Sequence, residues 1–479
     1  MTDTSRALAV AGLVAVFLSA ATAGSGIAAQ VTPSPAGGLP LDAEFLLAYA
    51  RGLPPGGGNS STGPGGATLP AVATASPSPG GAKPPSAPAA GGGGPLPIIG
   101  PLPLNAPGRF RPKEVLVLLQ PDATTETAEA LAQTFGLQLE VFVPSLLLRT
   151  PLVRLRIPDA RTEAAVAAAL RADPRVRGSQ RNFVYVPAAD QSASSTSLPQ
   201  YALDLMGIAA AQTEVHSERT PLIAVIDTGI DETHPDLAGS VVDRFDAVGD
   251  GAWDSGAHGT SIASILAAHG QMTGIVPKAK LLSIRVMAST ADGTSEATSE
   301  SLVRGIDWAA KQQADVINMS LAGPQDSFVS AEVSAAIAQG FIIVAAAGND
   351  GPNALPDYPA AVQGVIAVTA TDQNDGLYVG ANHGSYISVA APGVDIMSAT
   401  LGGSYTLVTG TSQATANVSG VIAMMREIRP DLTPAAALAL LQHSAKDLGP
   451  PGTDDSYGAG RVDAAGALRA LSNGPQASQ

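Results

Sequence analysis

The sequence predicts an α/β protein with a doubly wound parallel sheet, preceded by a small α+β open-faced sandwich and a disordered, Pro/Gly-rich N-terminal segment. Three observations lead to this prediction. Glycine and proline, with 52 and 38 residues, make up 90 of the 479 residues, whereas the two together account for roughly 12% of an average protein. The stretch 113–189 has the pattern β-α-β-β-α-β. From about Gln200 onward, short apolar runs alternate with helical patterns, as in a parallel sheet covered by helices on both faces.

Residues 1–29 have the order of a secretory signal peptide. A short polar start is followed by the apolar run Ala7–Ala20 and then by small residues up to Ala29. Cleavage and export are predicted. The alternative is a retained membrane anchor, because the apolar stretch approaches spanning length when it is counted through Ala29. Either outcome places the protein outside the cytoplasm, secreted or in the periplasm or cell envelope, and at a membrane only if the segment stays uncleaved.

Residues 30–112 are predicted to be a disordered linker rich in proline, glycine and alanine. Such a composition buries too little apolar surface to offset the entropy of ordering. One segment differs, since Leu41–Leu53 has helical apolar spacing and is expected to form a short amphipathic helix.

The sandwich is predicted to occupy residues 113–189. Its strands and helices are expected, in chain order, at Val115–Leu119, Thr124–Phe135, Leu137–Val143, Val153–Ile157, Thr162–Ala172 and Asn182–Val186. By itself this unit has no set of residues that suggests catalysis.

Residues 190–471 are predicted to form the parallel sheet and its helices, and 472–479 a tail. Strands are expected at Leu222–Ile226, Leu281–Val286, Val316–Met319, Ile342–Ala346 and Val365–Thr369. Helices are expected at His258–Ala268, Ser301–Gln313, Ser330–Gln339 and Gln413–Met424. In such sheets binding sites lie just past the carboxyl ends of the strands, so polar residues there are the candidates for function.

Charge and cysteine content exclude several classes of function. With 41 acidic residues against 26 Lys plus Arg, the formal charge is -15, so no nucleic-acid partner that is bound by phosphate neutralisation is expected. The absence of cysteine excludes disulfides, thiolate nucleophiles and cysteine-ligated zinc. A nucleophile in this chain must therefore be an oxygen or a lysine.

Two candidate residues are an acid and a base that adjoin predicted elements. Asp227 directly follows the strand Leu222–Ile226, and His258 begins an apolar helix. Taken alone, Asp227 could be a turn former or helix cap, and His258 a satisfied terminal histidine.

The third candidate is Ser412, in the triplet Gly410-Thr411-Ser412 between a strand and a helix of small residues. A serine there is usually a helix cap, but the same place offers backbone N–H groups and a positive helix end to a developing oxyanion. Two other Gly-Thr-Ser triplets exist. Gly259–Ser261 belongs to the histidine motif, and Gly293–Ser295 is predicted to lie in a polar loop.

Together these residues indicate nucleophilic catalysis. A serine hydroxyl needs a base to take its proton, and the imidazole needs a carboxylate on its other nitrogen. Asn349 follows the strand Ile342–Ala346, and its amide is a candidate donor to the oxyanion.

Four motifs in this chain order resemble those of the subtilases, the subtilisin-like serine endopeptidases: Asp227-Thr228-Gly229, His258-Gly259-Thr260, Ala347-Gly348-Asn349 and Gly410-Thr411-Ser412. The resemblance covers about Gln200 to Leu471 and includes the ending Tyr457–Val462. It implies a catalytic Asp227, His258 and Ser412 with Asn349 at the oxyanion. It also implies that Ser320, Leu321, Ala322 and Gly323 pair with the substrate backbone and that Ala347 and Gly348 form a wall of the specificity pocket.

The same resemblance implies that the sandwich is a subtilase-type propeptide, a chaperone and inhibitor whose tail lies in the active site until cleavage. The expected partners are therefore a protein or peptide substrate and the chain's own propeptide, in a self-processing zymogen. Pro187–Ser197 is the predicted junction. The alternatives are an independent binding domain for the sandwich and, for the whole chain, a catalytically silent surface binding protein of the same fold.

The chain departs from the usual subtilase pattern at several places. Gln413, Ala416 and Asn417 stand where relatives usually have Met and, further along, a Pro-His pair. The loop Ala268–Gly274 is shorter than the common calcium loop and lacks its asparagines, so no metal ligand is assigned and no cofactor is expected, although calcium remains an open alternative. Asp236 is interpreted as a turn residue.

Specificity is predicted from the surroundings of Asp357. Tyr358-Pro359 resembles the segment at the base of the primary pocket, which would place Asp357 there and favour Lys or Arg before the scissile bond. The alternative is a solvent-facing turn at Asp357, which would leave an apolar pocket suited to Leu, Phe or Met.

Overall fold

A computed structural model describes residues 107–188, 190–191, 200–251, 253, 255–290 and 293–473. The predicted signal peptide, the helix at Leu41–Leu53, most of the predicted linker and all but two residues of the tail lie outside the described residues. The described part belongs to one compact unit. We call residues 110–187 the N-terminal sandwich and residues 200–473 the C-terminal domain.

The N-terminal sandwich has a four-stranded antiparallel sheet with two helices. Its elements are β1 Phe110–Leu119, α1 Thr125–Phe135, β2 Gln138–Ser145, β3 Thr150–Arg156, α2 Glu163–Arg171 and β4 Val176–Pro187. The strand order is β2-β3-β1-β4. Both helices begin after a threonine, Thr124 or Thr162, whose hydroxyl accepts a hydrogen bond from the first turn.

The run of β1 from Val115 to Leu119 is buried on both sides of the sheet. Because side chains alternate along a strand, Val115, Val117 and Leu119 pack against α1 and α2, whereas Leu116 and Leu118 face the C-terminal domain. The continuous apolar run therefore builds two cores.

The C-terminal domain contains a seven-stranded parallel sheet in the order β15-β14-β13-β11-β6-β8-β7. These strands are β6 Leu222–Asp227, β7 Val241–Asp246, β8 Lys280–Arg285, β11 Val316–Met319, β13 Ile342–Ala346, β14 Ile366–Thr371 and β15 Val389–Pro392.

Helices cover both faces of this sheet. On one face α5 Ala257–Ala267 and α8 Thr411–Ile428 pack against Ile223 and Val225 of β6. On the other face α6 Ser299–Lys311 and α7 Ser327–Ala338 pack against Ala224 and Ile226. The alternation along β6 explains why its apolar run Leu222–Ile226 lies between two helical layers.

Shorter elements complete the domain. They are β5 Asp190–Gln191, α3 Tyr201–Leu205, α4 Ile208–Glu214, β9 Met287–Ser289, β10 Ser295–Thr298, β12 Leu321–Ala322, β16 Ile396–Thr400, β17 Ser404–Thr409, α9 Pro434–Ser444 and α10 Ala464–Asn473. No helix in the described ranges is long and apolar enough to span a lipid bilayer.

The predicted α/β fold class is confirmed, with element boundaries shifted by a few residues. Two edge strands, β7 and β15, were not predicted. The polar loop predicted at Gly293–Ser295 is wrong at its end, because Ser295 begins β10, which pairs with β9 on one side and with β4 of the sandwich on the other.

Candidate active site

Three of the four candidate residues lie at the end of a strand or just after it. Asp227 is the last residue of β6, Asn349 follows β13, and Ser412 is the second residue of α8 just after β17. His258 is the second residue of α5. The carboxyl ends of parallel strands share one edge of the sheet, which brings distant parts of the chain together there.

Asp227 and His258 are directly bonded. His258 Nδ1 lies 2.7 Å from Asp227 Oδ1 and 2.9 Å from Oδ2, and Oδ1 also accepts a 2.7 Å bond from the Thr228 N–H. Asp227 is fully buried. A carboxylate at Nδ1 favours the tautomer with its proton there, so Nε2 is left as an acceptor. Nε2 of His258 is buried and has no hydrogen-bond partner within the described ranges.

The Ser412 hydroxyl is turned away from this pair. Its Oγ donates a 2.9 Å bond to the Ser320 carbonyl, so no hydrogen bond joins Ser412 to His258 in this structure. Ser412 is fully buried at the start of α8. A change of its χ1 rotamer would be needed to bring the hydroxyl to a base.

The Asn349 amide is held beside Ser412 by the residue that precedes the serine. Asn349 Oδ1 accepts bonds from Thr411 N–H, at 3.1 Å, and Thr411 Oγ1, at 2.9 Å. The amide nitrogen is thereby turned away from Thr411; it is buried and has no partner among the described residues. An unpaired buried donor costs about 1–3 kcal/mol, so it indicates a group that has another use. Sequence reasoning missed the role of Thr411, although the triplet contains it.

An extended segment of the chain itself crosses this site. On one side β4 pairs with β12, with Pro187 opposite Leu321 and Val186 opposite Ala322. On the other side β5 pairs with β17, with Asp190 opposite Thr409 and Gln191 opposite Val408. We call residues 186–188 and 190–191, the described residues of this stretch, the cleft segment. It runs antiparallel to both strands, as an extended peptide does when it adds to a sheet edge.

Ala188 lies between these two pairings. Its carbonyl accepts a 3.0 Å bond from the Ser412 N–H, and its N–H lies 3.4 Å from the Ser320 carbonyl. Upstream, the buried Tyr185 ring packs on Gly323, where a side chain would collide with it at 2.3 Å. Sequence reasoning did not single out Ala188, because an alanine carries no chemical signature.

A cavity of about 620 Å³ adjoins Ala188. The C-terminal domain lines it with Ala322, Gly323, Asn349, Asp350, Asp357 and Tyr358. Ala347 and Gly348, predicted as a wall, are not among the lining residues. Gly348 lies behind Asp357: it has φ +108°, and a Cβ there would be 2.1 Å from Asp357 Oδ2. Ala347 uses its carbonyl to accept a 2.8 Å bond from the Tyr386 hydroxyl.

Asp357 lines this cavity instead of forming a solvent-facing turn. Its Oδ2 accepts a 2.9 Å bond from Asn382 Nδ2. Burial, followed by the nearby Asp350 carboxylate, raises the pKa of Asp357 to about 7.

Two of the positions that depart from the usual subtilase pattern, Asn417 and Gln413, differ in their hydrogen bonding. Asn417 Nδ2 donates a 2.9 Å bond to the Pro392 carbonyl and so ties α8 to β15. Gln413 is fully buried, and neither atom of its amide has a partner in the described ranges.

Asp236 is used within a loop. Its carboxylate accepts bonds from the Gln271 and Met272 N–H groups, at 2.9 and 2.7 Å, and from the Tyr405 hydroxyl, at 2.9 Å. Across the described residues, no group of three or more His, Asp or Glu side chains is arranged to hold a metal ion.

Comparison with known sequences identifies several relatives. The profile described as "Subtilase family" matches residues 218–460. Thermitase of Thermoactinomyces vulgaris is 38% identical over 249 residues, which are 50% of this chain and 86% of thermitase. The minor extracellular protease Epr of Bacillus subtilis is 30% identical over 307 residues, which are 61% of this chain and 46% of Epr.

Comparison with solved structures finds fervidolysin of Fervidobacterium pennivorans, described as a keratinolytic enzyme related to subtilisin. The match has a TM-score of 0.63 at 23% identity and covers 76% of this chain and 61% of fervidolysin. This likeness shows the fold.

Proposed function

The chain belongs to the subtilase family of serine-type endopeptidases, and from this premise we propose that it cleaves peptide bonds with Asp227, His258 and Ser412, as an exported, self-processing zymogen. Its substrates are proteins or peptides.

In the proposed mechanism, the Ser412 hydroxyl leaves the Ser320 carbonyl and turns to His258. Nε2 takes its proton as Oγ attacks the scissile carbonyl carbon. The same nitrogen then returns the proton to the leaving amine, which leaves an acyl-enzyme that water hydrolyses by the same steps. Asp227 holds the Nδ1–H and offsets the imidazolium charge. The bonds of 2.7 and 2.9 Å between Asp227 and His258 support this assignment.

Two donors are proposed to stabilise the oxyanion: the Ser412 N–H and Asn349 Nδ2. Such donors act because they are already oriented when charge develops on the carbonyl oxygen. The clamp of Thr411 on Asn349 Oδ1 supplies that orientation. Loss of one donor costs about 3–4 kcal/mol in the subtilisin example from which the magnitude is taken.

The observation that carries the proposal is the 3.0 Å bond from the Ser412 N–H to the Ala188 carbonyl. It leads us to interpret the cleft segment as a bound substrate and Ala188–Ala189 as the bond cut during maturation. This bond lies within the predicted junction Pro187–Ser197. The N-terminal sandwich is then the propeptide, which occupies the cleft until it is released.

Export is proposed from the order of residues 1–29, and the name of the relative Epr, an extracellular protease, is consistent with it. A catalytically silent binding protein is not favoured, because it has no chemical need for a bonded Asp227–His258 pair beside an oriented amide.

The test is maturation of the full chain in a protease-free host extract. We expect the wild-type chain to yield a fragment ending at Ala188 by intact mass and to be labelled by a fluorophosphonate. Ser412→Ala should stay uncut and unlabelled. Ser295→Ala, which alters another Gly-Thr-Ser triplet, is the matched control and should mature. A Ser412→Ala chain that matures without another protease would overturn the assignment.

A further inference from the structure

The cavity beside Ala188 is larger than the residue that adjoins it. Ala188 has only a methyl group, whereas the cavity is about 620 Å³. If Ala188 precedes the scissile bond, as the proposed function requires, this cavity receives the side chain of the equivalent residue in other substrates. The chain's own junction therefore does not use the space that the site provides.

Two carboxylates, those of Asp350 and Asp357, lie on the walls of this cavity. Asn382 joins the Asp357 carboxylate to the backbone of Asp350, because its Nδ2 donates to Asp357 Oδ2 at 2.9 Å and its Oδ1 accepts the backbone N–H of Asp350 at 2.8 Å. Neither carboxylate forms an ion pair with a described residue. Arg109, which directly precedes the sandwich, also lines the cavity, but it is paired with Glu296 and would leave with the sandwich.

The fold makes room for this acidic wall. Gly348 has the left-handed backbone conformation and leaves the space that the Asp357 carboxylate fills. Apolar walls are supplied by Ala322, Gly323 and Tyr358. A side chain with an apolar stem and a cationic tip matches this arrangement of apolar walls, a half-buried Asp357 and an exposed Asp350.

We infer that this cavity binds a lysine or arginine side chain of the residue that precedes the scissile bond, and that Asp357 selects it by charge. Asp350 lies beside Asp357 and adds to the negative charge of the pocket. The preference for lysine or arginine therefore applies to substrates of the mature enzyme. The chain's own junction has alanine at this position instead. The inference rests on the proposed function.

The preference should also depend on pH. Burial and Asp350 raise the pKa of Asp357 to about 7, and the other titratable groups facing it are Tyr185, Tyr358 and Tyr386, with Arg109 in the precursor. While the sandwich lines the cavity, Asp357 is therefore largely neutral below about pH 7 and charged above it, and the Asp350 carboxylate that helps to raise its pKa stays beside it after release. The selection for a cation should therefore strengthen as pH rises through 7.

The test uses the matured full-chain protein and two peptides that differ only by Lys or Leu before the scissile bond. The measured quantity is the ratio of their kcat/KM values, in which pH effects common to both peptides cancel. For the wild type we expect Lys to be favoured at least tenfold at pH 8.5 and this ratio to fall by about tenfold at pH 6. Asp357→Asn should lower the ratio at pH 8.5 by at least tenfold and remove its pH dependence. Asp243→Asn, an exposed carboxylate on β7, is the matched control and should change neither.

Leu favoured at pH 8.5, or a ratio that Asp357→Asn leaves unchanged, would overturn the inference while leaving the proposed function intact. Failure with both peptides, together with no fluorophosphonate labelling, would instead contradict the proposed function. If Asp357→Asn does not fold, Ala188→Lys and Ala188→Met precursors test the same pocket within the chain. We expect the lysine precursor to be cut at least tenfold faster at pH 8.5, and equal rates would reject the pocket.

Discussion

The N-terminal sandwich contacts the C-terminal domain in two regions with different chemistry. In the cleft, residues 186–188 and 190–191 are held by backbone pairing with β12 and β17, and the adjoining Val184 and Tyr185 pair with β10; these bonds do not depend on side chains. Over α6 and α7, every hydrogen bond or ion pair described below uses a side chain of the C-terminal domain, and all but that of the Leu147 N–H also use a side chain of the sandwich. We call these regions the cleft contact and the sheet contact.

The sheet contact is built around buried acids of the C-terminal domain. Gln180 donates a 2.9 Å bond to Asp326, and the Leu147 N–H donates a 2.8 Å bond to Asp307. Ser145 lies 3.3 Å from Glu332, and Arg154 pairs with Glu300 at 3.0 Å. The difference suggests that any extended peptide can make the cleft contact, whereas only this sandwich can make the sheet contact.

The sharpest separation of the two regions comes from Asp227→Asn, which alters chemistry in the cleft and leaves the sheet contact unchanged. In a serine protease, loss of this carboxylate lowers kcat about 10,000-fold, because the histidine takes the wrong tautomer. We expect self-cleavage and peptide hydrolysis to fall by that order, so that the sandwich stays joined to the chain, as measured by electrophoresis of the precursor over time. Cleavage at the wild-type rate would contradict the role proposed for Asp227.

Gln180→Ala should break the sheet contact and spare the cleft contact. Removing the amide leaves the buried Asp326 without one donor, which costs about 1–3 kcal/mol. After self-cleavage, the sandwich should bind the enzyme about 10- to 100-fold more weakly, while peptide hydrolysis by the freed enzyme is unchanged. Gln133→Ala, on the exposed side of α1, is the control. Equal retention of the two variant sandwiches would show that backbone pairing alone holds the sandwich.

The sheet contact should also weaken as pH rises. Burial and the Asp307 carboxylate raise the pKa of Glu332 well above its ordinary value, and burial raises the pKa of Asp307. Release of the sandwich exposes these acids to water and lowers both pKa values. The complex therefore holds more protons than the separated parts, so binding is strongest at low pH and is lost as pH rises toward the raised pKa.

The measurement is the dissociation constant of the cleaved sandwich between pH 5 and 9. It should increase by up to about tenfold per pH unit for each proton released. Glu332→Gln keeps the size and removes the charge, so it should flatten the profile. A wild-type affinity that rises with pH would reverse the assignment.

The smallest expected effect is at Gln413, which follows Ser412 in α8 and lies outside both contacts. Gln413→Met replaces an unpaired buried amide with an apolar side chain of similar size. The free energy of unfolding should rise by about 1 kcal/mol, measured by denaturant titration on the Ser412→Ala background. In the active enzyme the same change should introduce sensitivity to peroxide, because a sulfoxide would place a polar oxygen beside the nucleophile. Peroxide inactivation equal to that of the wild type would argue against this placement.

The sequence allowed much of the parallel sheet to be predicted, because its central strands are apolar runs. Val316–Met319 and Ile342–Ala346 were predicted with their observed bounds. The edge strands were missed for physical reasons: β7 alternates with charged residues, and β15 is four residues long and ends in proline.

The candidate site was predictable where a motif has a chemical signature, as at His258 and Ser412. The assignment of catalytic roles remains a prediction. Sequence could not reveal the contact of Ala188 with Ser412, because the two are far apart in the chain and alanine has no polar side chain. The contacts of the buried acids with the sandwich could not be predicted for a similar reason, since Glu332 and Ser145 are 187 residues apart in the chain.

The two-sided burial of β1 has a consequence for the lifetime of inhibition. Leu116 and Leu118 are fully buried only while the sandwich rests on the C-terminal domain, with Leu147, Leu148 and Leu152 beside them. Each fully buried leucine contributes about 1.5–3 kcal/mol, which the detached fragment forfeits. We expect the free fragment to unfold and to be digested by the enzyme. Activation should therefore accelerate once it has begun, and it should be irreversible.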